Sequence, residues 1–276
     1  MEFAQQAERS IIKKYRRGIW NPFIAAVKDY RLIQEGDRIA VCISGGKDSM
    51  LLAKCIQHLQ KYSDFPFEAE YMVMDPGYNP ENRRKIEENA RALEIPIRIF
   101  ETRIFNIVSK MDRSPCYLCA RMRRGYLYKY AQELGCNKIA LGHHFDDVIE
   151  TILMSMLYGA QVRTMMPKLH STNFPGMELI RPLYQVKEAD IIAWRRYNGL
   201  EFIQCACRFT EDAARDHSAS KRQEIKDLIA QLRKVNPNVD KNIFHSVEKI
   251  NLETVIGYYK GEEQHHFLDD YDNADA

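Results

Sequence analysis

Ile39-Ala40-Val41-Cys42-Ile43-Ser44-Gly45-Gly46-Lys47-Asp48-Ser49 joins an apolar, β-branched run to two glycines, a cation and an acid. The run has the length and composition of a strand buried on both faces. Directly after it, Leu52, Cys55, Ile56 and Leu59 recur at helical spacing, so Ser44–Ser49 is predicted to be a strand-to-helix turn. Glycine lets backbone approach a ligand without a Cβ between them, and a helix N-terminus presents unpaired amides to an anion. Lys47 adds a point charge for phosphate oxygens. Asp48 would repel a phosphate unless a cation such as Mg²⁺ stood between them, so the pair points to a metal nucleotide. Ser44 and Ser49 supply hydroxyls. The bland reading is a Gly-Gly turn capped by serine.

The pattern is neither the Gly-x-x-x-x-Gly-Lys-Ser/Thr phosphate loop nor a Gly-x-Gly-x-x-Gly fingerprint. It resembles the pyrophosphate-binding loop of the ATP pyrophosphatases, which cleave ATP between the α and β phosphates to adenylate an oxygen. That resemblance implies ATP and Mg²⁺ as ligands of Ser44, Gly45, Gly46, Lys47, Asp48 and Ser49, with Lys47 and Asp48 catalytic.

Outward from the loop, strands and helices alternate. Phe67–Met74 reads as a second strand ending at Asp75-Pro76-Gly77; Asn79 caps a helix with Pro80 in its first turn, running to Leu93; Ile97–Phe100 is a third strand. A long helix carries Leu118, Met122, Leu127, Ala131 and Leu134 to Gly135, and Lys138–Leu141 is a fourth strand. A helix with Val148, Ile152, Leu153, Met156 and Leu157 follows, then a fifth strand at Glu178–Ile180. The alternation requires right-handed crossovers, giving an α/β fold: a parallel Rossmann-like sheet with helices on both faces, of the adenine nucleotide alpha hydrolase-like kind. Ligands of such sheets sit at the strands' carboxyl ends, which puts the loop, Asp75 and residues 142–147 on one rim. Residues 1–37 read as a basic helical extension, 38–185 as the catalytic domain, 186–260 as a helical region with helices at 188–197, 219–234 and 241–259, and 261–276 as an acidic, disordered tail.

Composition supports a globular enzyme. The 276 residues are 45% hydrophobic and 28% charged, with a net charge of +2, and no apolar run reaches the roughly 18 residues of a membrane span. The N-terminus is too polar for a signal peptide, so the expected place is the cytoplasm, without membrane contact. The small net charge conceals an asymmetry: Arg9, Lys13, Lys14, Arg16 and Arg17 crowd the start, Glu262, Glu263, Asp269, Asp270, Asp272 and Asp275 the end. The basic start reads as a solvated, docked helix or as a contact for nucleic-acid phosphates.

Gly142-His143-His144-Phe145-Asp146-Asp147 sets two carboxylates at a helix N-terminus just after a strand. Helix capping accounts for one of them. Of the seven cysteines, Cys42, Cys55 and Cys136 read as core thiols, which leaves Cys116-Tyr117-Leu118-Cys119 and Cys205-Ala206-Cys207. The first pair lies one helical turn apart beside Arg121, Arg123 and Arg124, where thiolate is favoured. Three thiolates would hold an iron-sulfur cluster with one iron open; four would make a structural zinc site.

These motifs together resemble the tRNA 2-thiocytidine synthetase family. The matching stretches are Gly36–Ser49, Cys116–Tyr128, Leu141–Asp147, Tyr158-Gly159, Met166-Pro167-Lys168-Leu169 and Ile180-Arg181-Pro182-Leu183, within about residues 10–210. The resemblance implies an iron-sulfur-dependent tRNA thiolase: ATP adenylates a cytosine O2, that of cytidine 32 in the anticodon loop, and sulfur on a 4Fe-4S cluster displaces AMP. It implies Asp146 as catalytic, Asp75, Gly142 and His143 as nucleotide-binding, and Cys116, Cys119 and Cys207 as cluster ligands. The implied partners are tRNA and a sulfur donor, a cysteine desulfurase or sulfide; a homodimer is left open. The family's late motif, Pro-Cys-x-x-Cys, is one residue shorter here. Placing the ligand at Cys207 rather than Cys205 follows the family pattern, since physical reasoning is neutral between them. A pyrophosphatase-type ligase with structural zinc, and a nucleotide-binding iron-sulfur sensor, are the competing readings.

Overall fold

A computed structural model describes residues 2–108, 115–203 and 217–271. β1 (Arg38–Ile43) alternates in strict strand period. Ile39, Val41 and Ile43 belong to one buried cluster, Ala40 and Cys42 to another on the opposite face. β2 (Glu68–Asp75) and β3 (Ile97–Glu101) add in parallel on one side of β1. β4 (Lys138–Ala140) and β6 (Glu178–Ile180) add in parallel on the other. β5 (Lys168–His170) closes that edge antiparallel to β6, giving the order β3-β2-β1-β4-β6-β5. The antiparallel edge was not expected from the sequence: three residues, two of them exposed, carry no legible period. The chain moves outward from β1 to β3 and returns to β4 on β1's other side. The crevice over β1 and β4 is therefore the topological switch point where open α/β sheets bind ligands.

Helices cover both faces. The larger cluster takes α1 (Phe3–Ile12), α2 (Asn21–Asp29), α3 (Lys47–Tyr62), α4 (Pro80–Ala92), α7 (Phe145–Gly159) and α8 (Glu188–Tyr197). α5 (Ile104–Val108) and α6 (Pro115–Glu133) pack together, and Tyr128 and Ala131 of α6 cover the opposite face. Asn79 caps α4 as its sequence indicates, accepting from the Asn82 amide at 2.7 Å. A π-helical turn at Arg16–Trp20 joins α1 to α2. Ile11, Ile19 and Phe23 are wholly buried in the shared core, each worth about 1.5–3 kcal/mol. Residues 2–37 thus pack into the main core, with Arg9, Lys13, Lys14, Arg16 and Arg17 on the exposed side.

α9 (His217–Val235) and α10 (Val239–Ser246) lie against α7, where Phe244 stacks on Phe145 at 4.7 Å between centroids. The single helix expected over 241–259 is not formed. α10 ends at Ser246, a 3₁₀ turn spans Leu252–Thr254, and β7 (Gly257–Lys260) pairs with β8 (Glu263–His266) as a hairpin. Asn251 caps the 3₁₀ turn by accepting from the Glu253 amide, and the run Val255-Ile256-Gly257-Tyr258-Tyr259 favours strand. Residues 261–271, expected to be disordered, continue into β8 and α11 (Leu268–Tyr271). Tyr258 stacks on His265 at 4.6 Å and Asp269 accepts from the His266 amide. Among the described residues no helix is long and apolar enough to cross a membrane.

Candidate active site

α3 begins at Lys47 with Gly46 as its N-cap and no capping side chain. Its first-turn amides are open to an anion, the property the glycine motif suggested. Gly45 has φ +85°, and a Cβ there would stand 2.6 Å from Ile86 and 2.7 Å from Ile203, so both backbone and packing demand glycine. The Ser49 hydroxyl donates to the Gly46 carbonyl at 3.0 Å and accepts from the Ser44 amide at 3.2 Å, closing the turn from within. Lys47 Nζ lies 2.9 Å from Glu188 and 3.2 Å from Asp48. Burial would lower the Lys47 pKa, but Asp48 and Glu188 outweigh it and hold the ammonium above its usual value. Burial pushes the Asp48 carboxyl up, against His144 and Lys47. Its Oδ1 is buried and has no hydrogen-bond donor.

The second motif follows β4 on the other side of the switch point. A Cβ on Gly142 would approach the Ser49 amide nitrogen to 3.0 Å, so only glycine lets the two motifs touch backbone to backbone. His144 is buried, with Nε2 3.8 Å from Asp48 and Nδ1 3.5 Å from Asp147. His143 faces the cleft; burial, reinforced by Arg181, lowers its pKa to about 4, so the ring is neutral at pH 7. The adjacent carboxylates divide their roles. Asp146 accepts from the Glu188 amide at 2.7 Å and from Arg233 at 2.8 Å, beneath the cleft wall. Asp147 lines the cleft, accepts from the His144 amide and is paired to Arg222. Burial would raise its pKa, but His144 and Arg222 keep it below the usual carboxylate range.

Between these motifs and α6 lies a cleft of about 1140 Å³ that Ser44, Asp48, Ser49, Gly142, His143 and Asp147 share with Arg121, Arg123, Arg124, Arg181 and Arg222. Asp75 does not reach it. Its Oδ1 accepts from the Gly77 and Tyr78 amides and its Oδ2 holds Arg83 at 2.6 Å, shaping the turn after β2. Cys119 packs with Met74, Phe100 and Ile104 near the end of β2, and Met74 borders the cleft. Cys116 falls in the first turn of α6, its side chain outside the described residues, as are Cys205 and Cys207.

The PP-loop domain family matches residues 19–236. The tRNA-cytidine(32) 2-sulfurtransferase of Syntrophotalea carbinolica is 37% identical over 228 residues, covering 82% of this chain and 86% of that protein. The chain belongs to the PP-loop tRNA-cytidine(32) 2-sulfurtransferase family. It is accordingly an enzyme of the sulfurtransferase class. The relative of the same name from Legionella pneumophila is 39% identical over 233 residues, 82% of this chain and 78% of that one. In fold the sulfurtransferase resembles the U34-tRNA thiolase NcsA from Methanococcus maripaludis, solved with its 4Fe-4S cluster. The TM-score is 0.66 at 20% identity, over 87% of this chain and 80% of that one.

Several residues of the sulfurtransferase site carry no sequence signal of their own. Glu188 opens α8 and meets Lys47 across 141 positions of chain. Arg222 and Lys226 of α9 reach Glu150, 2% exposed, at 2.7 and 3.7 Å, and Lys226 also reaches Glu188 at 3.6 Å. The i, i+4 spacing of Arg222 and Lys226 marks one helix face, but its partners are fixed only by tertiary packing. Arg181, in Ile180-Arg181-Pro182-Leu183, lines the cleft although its sequence neighbours assign it no role.

Proposed function

We propose that this sulfurtransferase thiolates tRNA at the O2 position of cytidine 32, with ATP activating the oxygen and a 4Fe-4S cluster holding the sulfur. One observation carries the reading: the glycine loop and the Gly142–Asp147 motif meet at the β1/β4 switch point in a cleft whose other wall is the arginine-bearing helix of the Cys-x-x-Cys. The residues fit the ligands. The uncapped amides of α3, with Lys47, suit the departing pyrophosphate, and the orphaned Asp48 Oδ1 suits Mg²⁺. Cys116 and Cys119, a turn apart on α6, suit two cluster positions, and Cys207 is the proposed third. A cluster with three protein ligands leaves one iron available to a sulfur donor, a desulfurase or sulfide.

Oxygen is a poor leaving group from the pyrimidine ring, so O2 attacks the α-phosphorus and pyrophosphate departs. Sulfide-level sulfur, HS⁻, then adds at C2, its proton passes to solvent, the C2–O bond breaks and AMP leaves. Lys47 takes up charge on the phosphates, Asp48 would hold Mg²⁺, and neutral His143 offers a hydrogen bond without adding charge. Asp146 enters as a positioning residue through Glu188, while Asp75 maintains the rim. The exposed arginines of α6 receive the RNA backbone, and the reaction belongs in the cytoplasm; a homodimer is compatible with it. Anaerobic protein given ATP, Mg²⁺, sulfide and tRNA should release pyrophosphate and AMP and yield 2-thiocytidine at position 32. Pyrophosphate release that is indifferent to tRNA, or protein without iron, would overturn the reading.

A further inference from the structure

Three cations are buried among the described residues: Lys54, Lys138 and Arg181. Lys138 is held by Asp37 at 2.7 Å and Glu178 at 3.3 Å, and Lys54 by Glu8 at 3.6 Å. Arg181, 8% exposed, has no carboxylate within ion-pairing distance among the described residues. One guanidinium nitrogen donates to the Met166 carbonyl, and Nε has no partner at all. The charged neighbour that acts on it is Asp147, whose oxygens are already engaged by Arg222 and the His144 amide. A buried charge without a counter-ion is costly and is retained where a ligand supplies the missing charge. Arg181 lines the cleft beside His143, one strand beyond the Gly142 motif.

We propose that Arg181 is a phosphate anchor of the active site, its guanidinium taking a phosphoryl group of a substrate as the counter-ion the fold withholds. The ligand chemistry is a phosphate oxygen pair, which the planar fork of arginine matches and an ammonium does not. Two sources present that chemistry in this cleft: the α-phosphate of the nucleotide and a backbone phosphate of the RNA. The anchor depends on the thiolation reading only for the identity of that RNA. The lowered arginine pKa, about 10 through burial, accords with a site that is uncompensated until a ligand enters.

The test measures equilibrium affinities for AMP and for an anticodon stem-loop RNA in the full chain and in Arg181→Gln, which keeps a donor for the Met166 carbonyl but loses the charge. One of the two affinities should fall by about tenfold or more, with partial recovery in Arg181→Lys. A fall for AMP alone identifies the nucleotide as the source. A fall for RNA alone, with the salt slope reduced by about one, identifies the backbone. Both affinities within about twofold of the parent protein would overturn the anchor. If the variant does not fold, the arginine Nε–H resonances of the unmodified protein give the same decision: a buried signal shifts on adding AMP or RNA, and none shifting with either overturns it. Thiolation by the unmodified protein is measured alongside. Its absence with Arg181-dependent binding intact removes the thiolation reading only, and its presence with unaltered binding removes the anchor only.

Discussion

Lys47 and Asp48 are neighbours on which burial acts in opposite senses, favouring the neutral form of each, and only Lys47 has enough partners to overcome it. Lys47→Ala should therefore reduce tRNA-dependent pyrophosphate release by about a hundredfold or more while leaving the melting temperature nearly unchanged. Retained ATP cleavage would remove the loop from the mechanism. The paired acids give a sharper contrast. Asp146→Ala breaks the Glu188 amide and Arg233 contacts and should cost about 1–3 kcal/mol of stability in a denaturant titration, with residual turnover. Asp147→Asn should lose turnover with a smaller change in stability. His143 supplies a pH signature: folding lowers its pKa from 6.5 to about 4. Between those values the unfolded chain binds the extra proton, so this group's stability contribution is complete above about pH 6.5 and is lost as pH falls toward 4. His143→Gln should flatten that part of an acid-denaturation curve, and an unchanged curve would refute the assignment. At this scale the sequence was legible where a turn is written in consecutive residues: Ser44–Ser49 forms the expected strand-to-helix turn, and Gly142–His143 follows β4 on the same rim. The resemblance singled out Asp146, whereas Asp147 is the one that lines the cleft, because a helix N-terminus turns adjacent side chains toward different neighbours. The sequence could not assign Arg181, whose importance lies in what does not surround it.

α9 is fastened along α7 by cations at three levels: Arg222 to Asp147 and Glu150, Lys226 to Glu150, and Arg233 to Asp146. Glu150 is the most deeply buried of these acids, and burial raises its pKa despite Arg222 and Lys226. Arg222→Ala leaves that carboxylate with only the longer Lys226 contact. Because Arg222 is itself about half exposed, the expected cost is discounted to about 2 kcal/mol. Hydrogen exchange should show faster opening of α9 than of α3, and equal protection would argue against a fastening role. Elements with internal signals were readable in advance. β1 through its apolar run, α4 through Asn79 and Pro80, and α8 at Glu188–Tyr197 all appear where periodicity put them. The edge strand β5 and the hairpin β7–β8 were not, since short exposed strands owe their register to a partner strand rather than to a pattern of their own.

Across the described residues, two groups of cations bear on RNA binding: the exposed ones on and just after α1 and on the π-helical turn, and the arginine wall of the cleft. Binding to tRNA should weaken linearly in a plot of log affinity against log salt. Replacing Lys13, Arg16 and Arg17 by glutamine should make the slope shallower if that surface meets the RNA. Substitution is the right test there, because removing residues 1–17 would also remove buried Ala7 and Ile11. The cleft's acids belong to the first two thirds of the chain, but the cations that neutralise Asp147 and Glu150 belong to α9. On the ribosome, every strand of the main sheet is synthesised before Arg222. At that stage Asp147 and Glu150 are in place without the α9 cations that pair with them in the finished protein, and only the cleft's earlier arginines stand near the glycine loop. Messages truncated before α9 should accordingly yield polypeptides in which buried Glu150 lacks its partners and which protease systems clear.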